Sequence, residues 1–127
     1  MIEKAIMIDK IEDLRNVRTG YSRLYFGNEF CEKLIPQPRH LEEVILFCDK
    51  NKLSLSLVTP YVTNTGLDNL ERLFMWLYKR YKKCEVIIND YGVLDLVNLK
   101  YKNLLPVLGR LLTKQKRDPR LAQLLKR

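Results

Sequence analysis

The stretch that most constrains how this chain can fold is residues 84–97, CEVIINDYGVLDLV. A run rich in β-branched residues ends at Asn89-Asp90, the chain turns at Tyr91-Gly92, and an apolar stretch follows. β-branched residues favour strands, so this order predicts a strand, a short polar turn and a helix. The carboxyl end of such a strand is where α/β proteins place their chemistry. The stretch therefore predicts a βα unit with candidate functional residues in its turn.

The same pattern recurs along the chain. Further strands are predicted at residues 22–26, 53–59 and 104–108, and residues 4–8 form a short candidate strand at the start. Helices are predicted over residues 41–51 and 65–82, with Thr65 as the cap of the second helix. Pro106 favours an edge position for the last strand, because proline cannot donate to a sheet ladder. Strands that alternate with helices indicate parallel βαβ units with right-handed crossovers.

We therefore predict one α/β domain over residues 1–127, built as half of a (βα)8 barrel or as a small open parallel sheet. A half-barrel leaves two open sheet edges and an exposed inner face, which must be paired or covered. We accordingly expect a homo-oligomer or a companion segment that completes the barrel.

Composition narrows the class of protein. The chain is 46% hydrophobic and 30% charged, which is typical of a globular protein. No apolar run approaches the roughly 20 residues needed to span a bilayer, so no membrane partner is expected. The amino terminus lacks the pattern of a signal peptide, and three widely spaced cysteines suit a reducing compartment. A cytoplasmic location is the resulting prediction.

Positive charge is concentrated at the carboxyl terminus. Residues 110–127 carry seven Lys/Arg and one acid, so they hold +6 of the formal net charge of +8. The candidate phosphate-binding side chains in this basic tail are Lys114, Lys116, Arg117 and Arg120. They predict salt-sensitive RNA or DNA binding, although the nearest aromatic residue in sequence is Tyr101 and provides no local stacking platform. The alternative is a solvated basic loop before a short helix that carries Leu121, Leu124 and Leu125.

Polar residues after the predicted strands are expected to meet at one edge of the sheet, and they comprise Asn28, Glu29, Thr59, Asn89, Asp90 and Arg110. Glu29 and Asp90 are the candidate catalytic pair, as a general acid and base or as ligands of a cation. The alternative for Asp90 is that it caps the following helix, and for Asn89 that it bonds a neighbouring loop. Arg110 would bind a phosphate or carboxylate, or would pair with Asp90.

The remaining reactive residues give weaker signals. Cys31 follows Glu29 closely and is a candidate reactive thiol, whereas Cys48 and Cys84 are predicted to be core residues. Three cysteines without close spacing make a poor metal site, so no metal ligands are assigned. His40 is the single histidine and is expected at the surface. No nucleophile, histidine and acid arrangement and no glycine-rich phosphate fingerprint is recognisable.

Four short motifs carry a family resemblance: YFGNEFC at 25–31, VTPYVT at 58–63, VIINDYGVL at 86–94 and VLGRLL at 107–112. Together they resemble the amino-terminal half of the collagenase-like U32 peptidase family and its uncharacterised relatives. The resemblance implies a (βα) barrel. For the better understood members it also implies an iron–sulfur cluster and oxygen insertion into RNA or a quinone precursor.

The cluster does not transfer to this chain residue by residue. Those members supply a set of cysteines from their carboxyl-terminal half, and Cys31, Cys48 and Cys84 do not reproduce that set. The functional prediction is therefore a U32-like barrel fragment or half-barrel with no assigned reaction and with any site at the carboxyl ends of its strands. The alternatives are a nucleic-acid-binding module that acts through the basic tail and a non-catalytic assembly or scaffold protein.

Overall fold

The computed structural model describes residues 3–18, 20–80 and 83–115. In this part of the chain the strands are β1 (Ala5–Ile8), β2 (Arg23–Gly27), β3 (Ser54–Val58), β4 (Cys84–Ile88) and β5 (Leu104–Leu108). The α-helices are α1 (Pro38–Asn51), α2 (Asn64–Arg80), α3 (Tyr91–Lys100) and α4 (Arg110–Gln115). Two short 3-10 helices lie at Ile11–Asn16 and Glu32–Leu34.

The strands form one parallel sheet in the order β1-β2-β3-β4-β5. This confirms the predicted α/β class and the predicted parallel βα units, and it shows an open sheet. The short candidate strand at the start of the chain does join the sheet as β1, so the described sheet has five strands, one more than the four main βα units. Pro106 lies in β5, which is an edge strand, as predicted.

The helices α1, α2 and α3 contact one another in series, so they form a single layer on one face of the sheet. The predicted apolar stripe of α1 is confirmed, because Leu41, Val44, Ile45 and Cys48 are its buried residues. They pack into a core with strand residues such as Phe26. Full burial of a side chain of this size contributes about 1.5–3 kcal/mol, so the packing of this layer on the sheet stabilises the fold. Cys48 and Cys84 are both buried, as predicted.

Three helix starts differ from the prediction. Helix α1 begins at Pro38, because proline fits the first helical position, where its missing N–H is not needed. The cap predicted at Thr65 is wrong, because Thr65 lies inside α2. Thr63 precedes that helix, and its hydroxyl accepts a hydrogen bond from the Gly66 N–H at 3.5 Å. Helix α4 was not predicted from the sequence.

Gly27 ends β2 in a conformation that other residues rarely adopt, with φ at +134°. A Cβ at this position would lie 2.1 Å from the Val58 carbonyl oxygen. Glycine is therefore required for β2 to pass this close to β3 before the chain turns away.

Some sequence predictions fall outside this description. The basic residues Lys116, Arg117 and Arg120, and the helix predicted around Leu121, lie outside the described residues. Lys114 lies in α4. Within the described ranges, no helix combines the length and the apolar character that crossing a bilayer requires.

Candidate functional site

All strands are parallel, so their carboxyl ends share one edge of the sheet. We call the residues that follow β2 to β5 at this edge the carboxyl-end rim, which comprises residues 28–32, 59–63, 89–92 and 109–111. Each of the six site residues predicted from the sequence lies on it. The structure also shows which partners each of them contacts.

Glu29 and Arg110 form an ion pair across the rim. The Arg110 Nε donates to Glu29 Oε2 at 2.9 Å, and the two residues are 81 positions apart in sequence. Glu29 follows β2 and Arg110 follows β5, so the pair ties together two segments whose strands are separated by β3 and β4. The Glu29 side chain is only 12% exposed, whereas that of Arg110 is 72% exposed. The predicted alternative, a pair between Arg110 and Asp90, is therefore wrong.

Asp90 caps helix α3, which was one of the two roles that the sequence predicted for it. Its Oδ1 accepts hydrogen bonds from the Gly92 N–H at 2.7 Å and from the Val93 N–H at 3.4 Å. Its Oδ2 accepts from the Val62 N–H at 3.0 Å, which belongs to the segment after β3. Both carboxylate oxygens thus have structural partners, and the side chain is largely buried. Asp90 and Glu29 lie on the same rim, but each carboxylate bonds its own set of donors.

Asn89 joins three strand ends. Its Nδ2 donates to the Thr59 carbonyl at 2.9 Å, and its Oδ1 accepts from the Leu111 N–H at 3.1 Å. The Thr59 hydroxyl in turn donates to the Ile87 carbonyl at 2.7 Å. A Cβ at Gly109 would lie 2.1 Å from Asn89 Oδ1, so glycine leaves the space that the Asn89 side chain occupies. The predicted loop-bonding role of Asn89 is confirmed.

Asn28 and Glu32 stabilise the segment after β2. The Asn28 Oδ1 accepts from the N–H groups of Phe30 and Cys31, both at 2.8 Å, which closes a tight turn. The Glu32 Oε2 accepts from the Thr63 N–H at 2.7 Å, and its Oε1 accepts from the Thr63 hydroxyl at 2.9 Å. The segments after β2, β3, β4 and β5 are therefore linked to one another by side-chain hydrogen bonds.

Three exposed aromatic residues on the rim were missed by the sequence reasoning. Phe30 is 64% exposed, Tyr61 is 68% exposed and Tyr91 is 59% exposed. Each is the third residue after the end of its strand, β2, β3 or β4. This common offset was visible in the sequence, but exposure was not. The Arg110 guanidinium lies 5.6 Å from the centroid of the Phe30 ring, within cation–π range.

The thiols differ in environment. Cys31 is partly exposed beside the rim, whereas Cys48 and Cys84 are buried. Burial raises the pKa of Cys48 to about 11 and that of Cys84 to about 12, so both remain protonated thiols at neutral pH. Among residues 3–18, 20–80 and 83–115, no three His, Cys, Asp or Glu side chains come together as a metal-binding group.

The rim thus combines buried polar groups that fix its shape with an exposed surface of aromatic rings and one guanidinium. Asp90 and Asn89 bond backbone groups, Glu29 bonds the Arg110 side chain, and the exposed groups are those that can contact a ligand. Comparisons of the chain with protein-family models, with curated proteins and with solved structures found no match.

Proposed function

We propose that this chain is a half-barrel module related to the U32 peptidase family, that a second copy of the chain covers its open sheet face, and that ligands bind at the carboxyl-end rim. The observation that carries the proposal is the face of the sheet opposite the helices. The strand order follows the chain order, and among the described helices α1, α2 and α3 lie together on the other face.

We call this surface the uncovered face. Strand pairing places Met7, Tyr25, Ser56, Glu85 and Leu105 in one row across it, with Arg23, Ile87 and Val107 in the adjacent rows. Its apolar members at the two sheet edges, Met7, Leu105 and Val107, are exposed. Five strands of about five residues give a face of about 400 Å². The apolar part of this face lies at its two edges and flanks the polar residues Arg23, Ser56 and Glu85.

The charges on this face are paired within one copy. The Arg23 Nη1 donates to the Ser56 hydroxyl at 2.8 Å, and that hydroxyl donates to Glu85 Oε1 at 2.9 Å. Arg23 also forms an ion pair with Glu3 at 2.8 Å and lies 3.8 Å from the Glu85 carboxylate. Because these charges already have partners, they would not repel the same face of a second copy in an isologous interface.

The sheet edges add to this argument. In the described structure β1 and β5 are edge strands, and each presents backbone groups that a neighbouring strand could pair with. Two copies that face one another around a common axis could pair β5 of one copy with β1 of the other. That arrangement would close a barrel and would bring the two carboxyl-end rims to the same end.

The test is the solution mass of the full chain by light scattering over a range of concentrations. We expect a dimer for the wild type and a monomer for Leu105→Asp, because a carboxylate on the edge strand β5 would be buried without a partner where the two sheets meet. Met7→Asp at the opposite sheet edge is the second variant. Leu99→Asp is the matched control, because Leu99 is exposed on α3, away from the uncovered face.

A monomeric wild-type mass at every concentration would contradict the proposal. Equal loss of dimer in Leu105→Asp and Leu99→Asp would also contradict it, because the control position lies on the helical layer. Circular dichroism of each variant separates a lost interface from a lost fold.

A further inference from the structure

We infer that the carboxyl-end rim binds a nucleotide unit, a planar base that carries a phosphate, by stacking the base on its exposed aromatic rings and holding the phosphate at Arg110. The inference deepens the proposed function, since it concerns the same rim. It is nevertheless testable in a single chain, because every residue it uses belongs to one copy.

The aromatic rings are the first observation. Phe30, Tyr61 and Tyr91 are each more than half exposed, although aromatic side chains of this size are usually buried in a core or an interface. They follow three adjacent parallel strands at the same offset, so their backbone positions lie along one edge of the sheet. Stacking on such rings accepts any base, because every base has a π-face.

The rim's hydrogen bonds fix the backbone at or next to each aromatic residue. Tyr61 precedes Val62, whose N–H donates to Asp90 at 3.0 Å, and Asp90 directly precedes Tyr91. The N–H of Phe30 donates to Asn28. Because these backbone positions are fixed, little backbone freedom remains to be lost on binding, which favours affinity.

Arg110 supplies the complementary charge. Only its Nε donates to Glu29, so its two terminal nitrogens make no further hydrogen bond among the described residues. A guanidinium can hold a phosphate through two parallel hydrogen bonds, and its position near the Phe30 ring places it beside a stacked base. The neighbouring acids Glu29, Asp90 and Glu32 already accept hydrogen bonds from protein donors.

The net charge of the chain is compatible with an anionic ligand. The formal charge of the full sequence is +8, and a net positive charge attracts anions to a protein. A protein partner with an acidic surface is an alternative occupant, and the test below separates it from a nucleotide.

The test is a titration of the full chain with two probes, 2-aminopurine riboside 5′-monophosphate and a hexanucleotide that contains 2-aminopurine. Stacking quenches the fluorescence of this base, so the readout reports ring contact directly. Tyr61→Leu removes a ring but keeps an apolar side chain, and we expect it to weaken binding about tenfold. Tyr61→Phe keeps the ring and is expected to bind as the wild type does.

Arg110→Gln tests the phosphate contact. We expect weaker binding and, for the hexanucleotide, a slope of log K against log salt that is shallower by about 0.7. Arg72→Gln is the matched control, because Arg72 is an exposed arginine on α2 and the substitution removes the same charge. It should change neither the affinity nor the quenching.

Binding of both probes with this pattern supports a site for nucleotides in general, and binding of the hexanucleotide alone supports a site for single-stranded nucleic acid. Absence of quenching with both probes overturns the inference, as does equal binding by Tyr61→Leu and Tyr61→Phe. Binding that is salt-sensitive but indifferent to Tyr61 also overturns it, because the basic tail would then act without the rim. Repeating the titration on Leu105→Asp separates rim binding from assembly.

Discussion

Replacing Asp90 by alanine removes the acceptor for three backbone N–H groups at once. Two of them, from Gly92 and Val93, belong to the first turn of α3, and the third, from Val62, belongs to the segment after β3. Loss of a helix N-cap of this kind costs about 1 kcal/mol. A backbone N–H left without a partner in a partly buried site costs a further ~1–2 kcal/mol. The expected loss in the free energy of unfolding is therefore about 2–3 kcal/mol.

For a chain of 127 residues, a loss of that size should lower Tm by about 8–12 °C. Urea unfolding followed by circular dichroism gives the free energy, and calorimetry gives Tm. Asp90→Asn retains one acceptor oxygen, so its loss should be smaller than that of Asp90→Ala. Asp95→Ala is the matched control, because Asp95 is exposed in the middle of α3 and alanine is the better helix former there.

A change within about 0.5 kcal/mol for Asp90→Ala would refute this account, because changes of that size are typical of surface positions without structural partners. Asp90 would then be free for another role, such as the catalytic one that the sequence also suggested. An equally large loss in the free energy of unfolding for Asp95→Ala would show that the effect comes from removing a negative charge on α3 and not from removing the cap.

Two further predictions concern the core and the rim. The pKa of Cys48 is raised to about 11 and that of Cys84 to about 12 by burial, so the unfolded chain releases these protons near pH 8.5–9 while the folded chain keeps them. The free energy of unfolding should therefore be unaffected below this range and should fall above it, by at most about 1.4 kcal/mol per pH unit for each thiol. Cys84→Ala should show a shallower fall between pH 9 and 11 in urea unfolding, and an unchanged slope would contradict the burial argument. Gly109→Ala places a Cβ against Asn89 Oδ1 and should destabilise the chain by about 1–3 kcal/mol, measured by the same method. Gly109→Ala in an Asn89→Ala background should cost clearly less, and an equal cost in both backgrounds would show that the clash is not with Asn89.

Local chemistry explains why much of the fold was predictable. The β-branched run of β4 and the polar residues after it specify a strand followed by a capped helix, and both were found at the expected positions. The apolar spacing of α1 predicted its buried face for the same reason, because positions three and four apart share one side of a helix. The cap of α2 was predicted at Thr65, but the helix begins one residue earlier, at Asn64. Thr63, which also has a hydroxyl, precedes the helix and accepts a hydrogen bond from the Gly66 N–H.

Only the location of the candidate site could be predicted from the sequence. Parallel strands place their carboxyl ends at one edge, so Asn28, Asn89 and Arg110 could be assigned to a common rim from the sequence. Their partners could not be assigned, because several acids follow the strand ends and the distances between strands were not known. Arg110 pairs with Glu29 after β2 and not with Asp90 after the neighbouring strand β4.

The sequence by itself determined the α/β class, the parallel units and the edge position of β5, because each depends on residues that are close in the chain. It also gave capping of α3 as one of two possible roles for Asp90, and the structure shows that cap. Only the tertiary structure decided that Phe30, Tyr61 and Tyr91 are exposed together and that Arg110 lies beside the first of them. It also decided which face of the sheet the helices α1, α2 and α3 cover. These features depend on strand order and on contacts between distant segments, and local patterning does not specify such contacts.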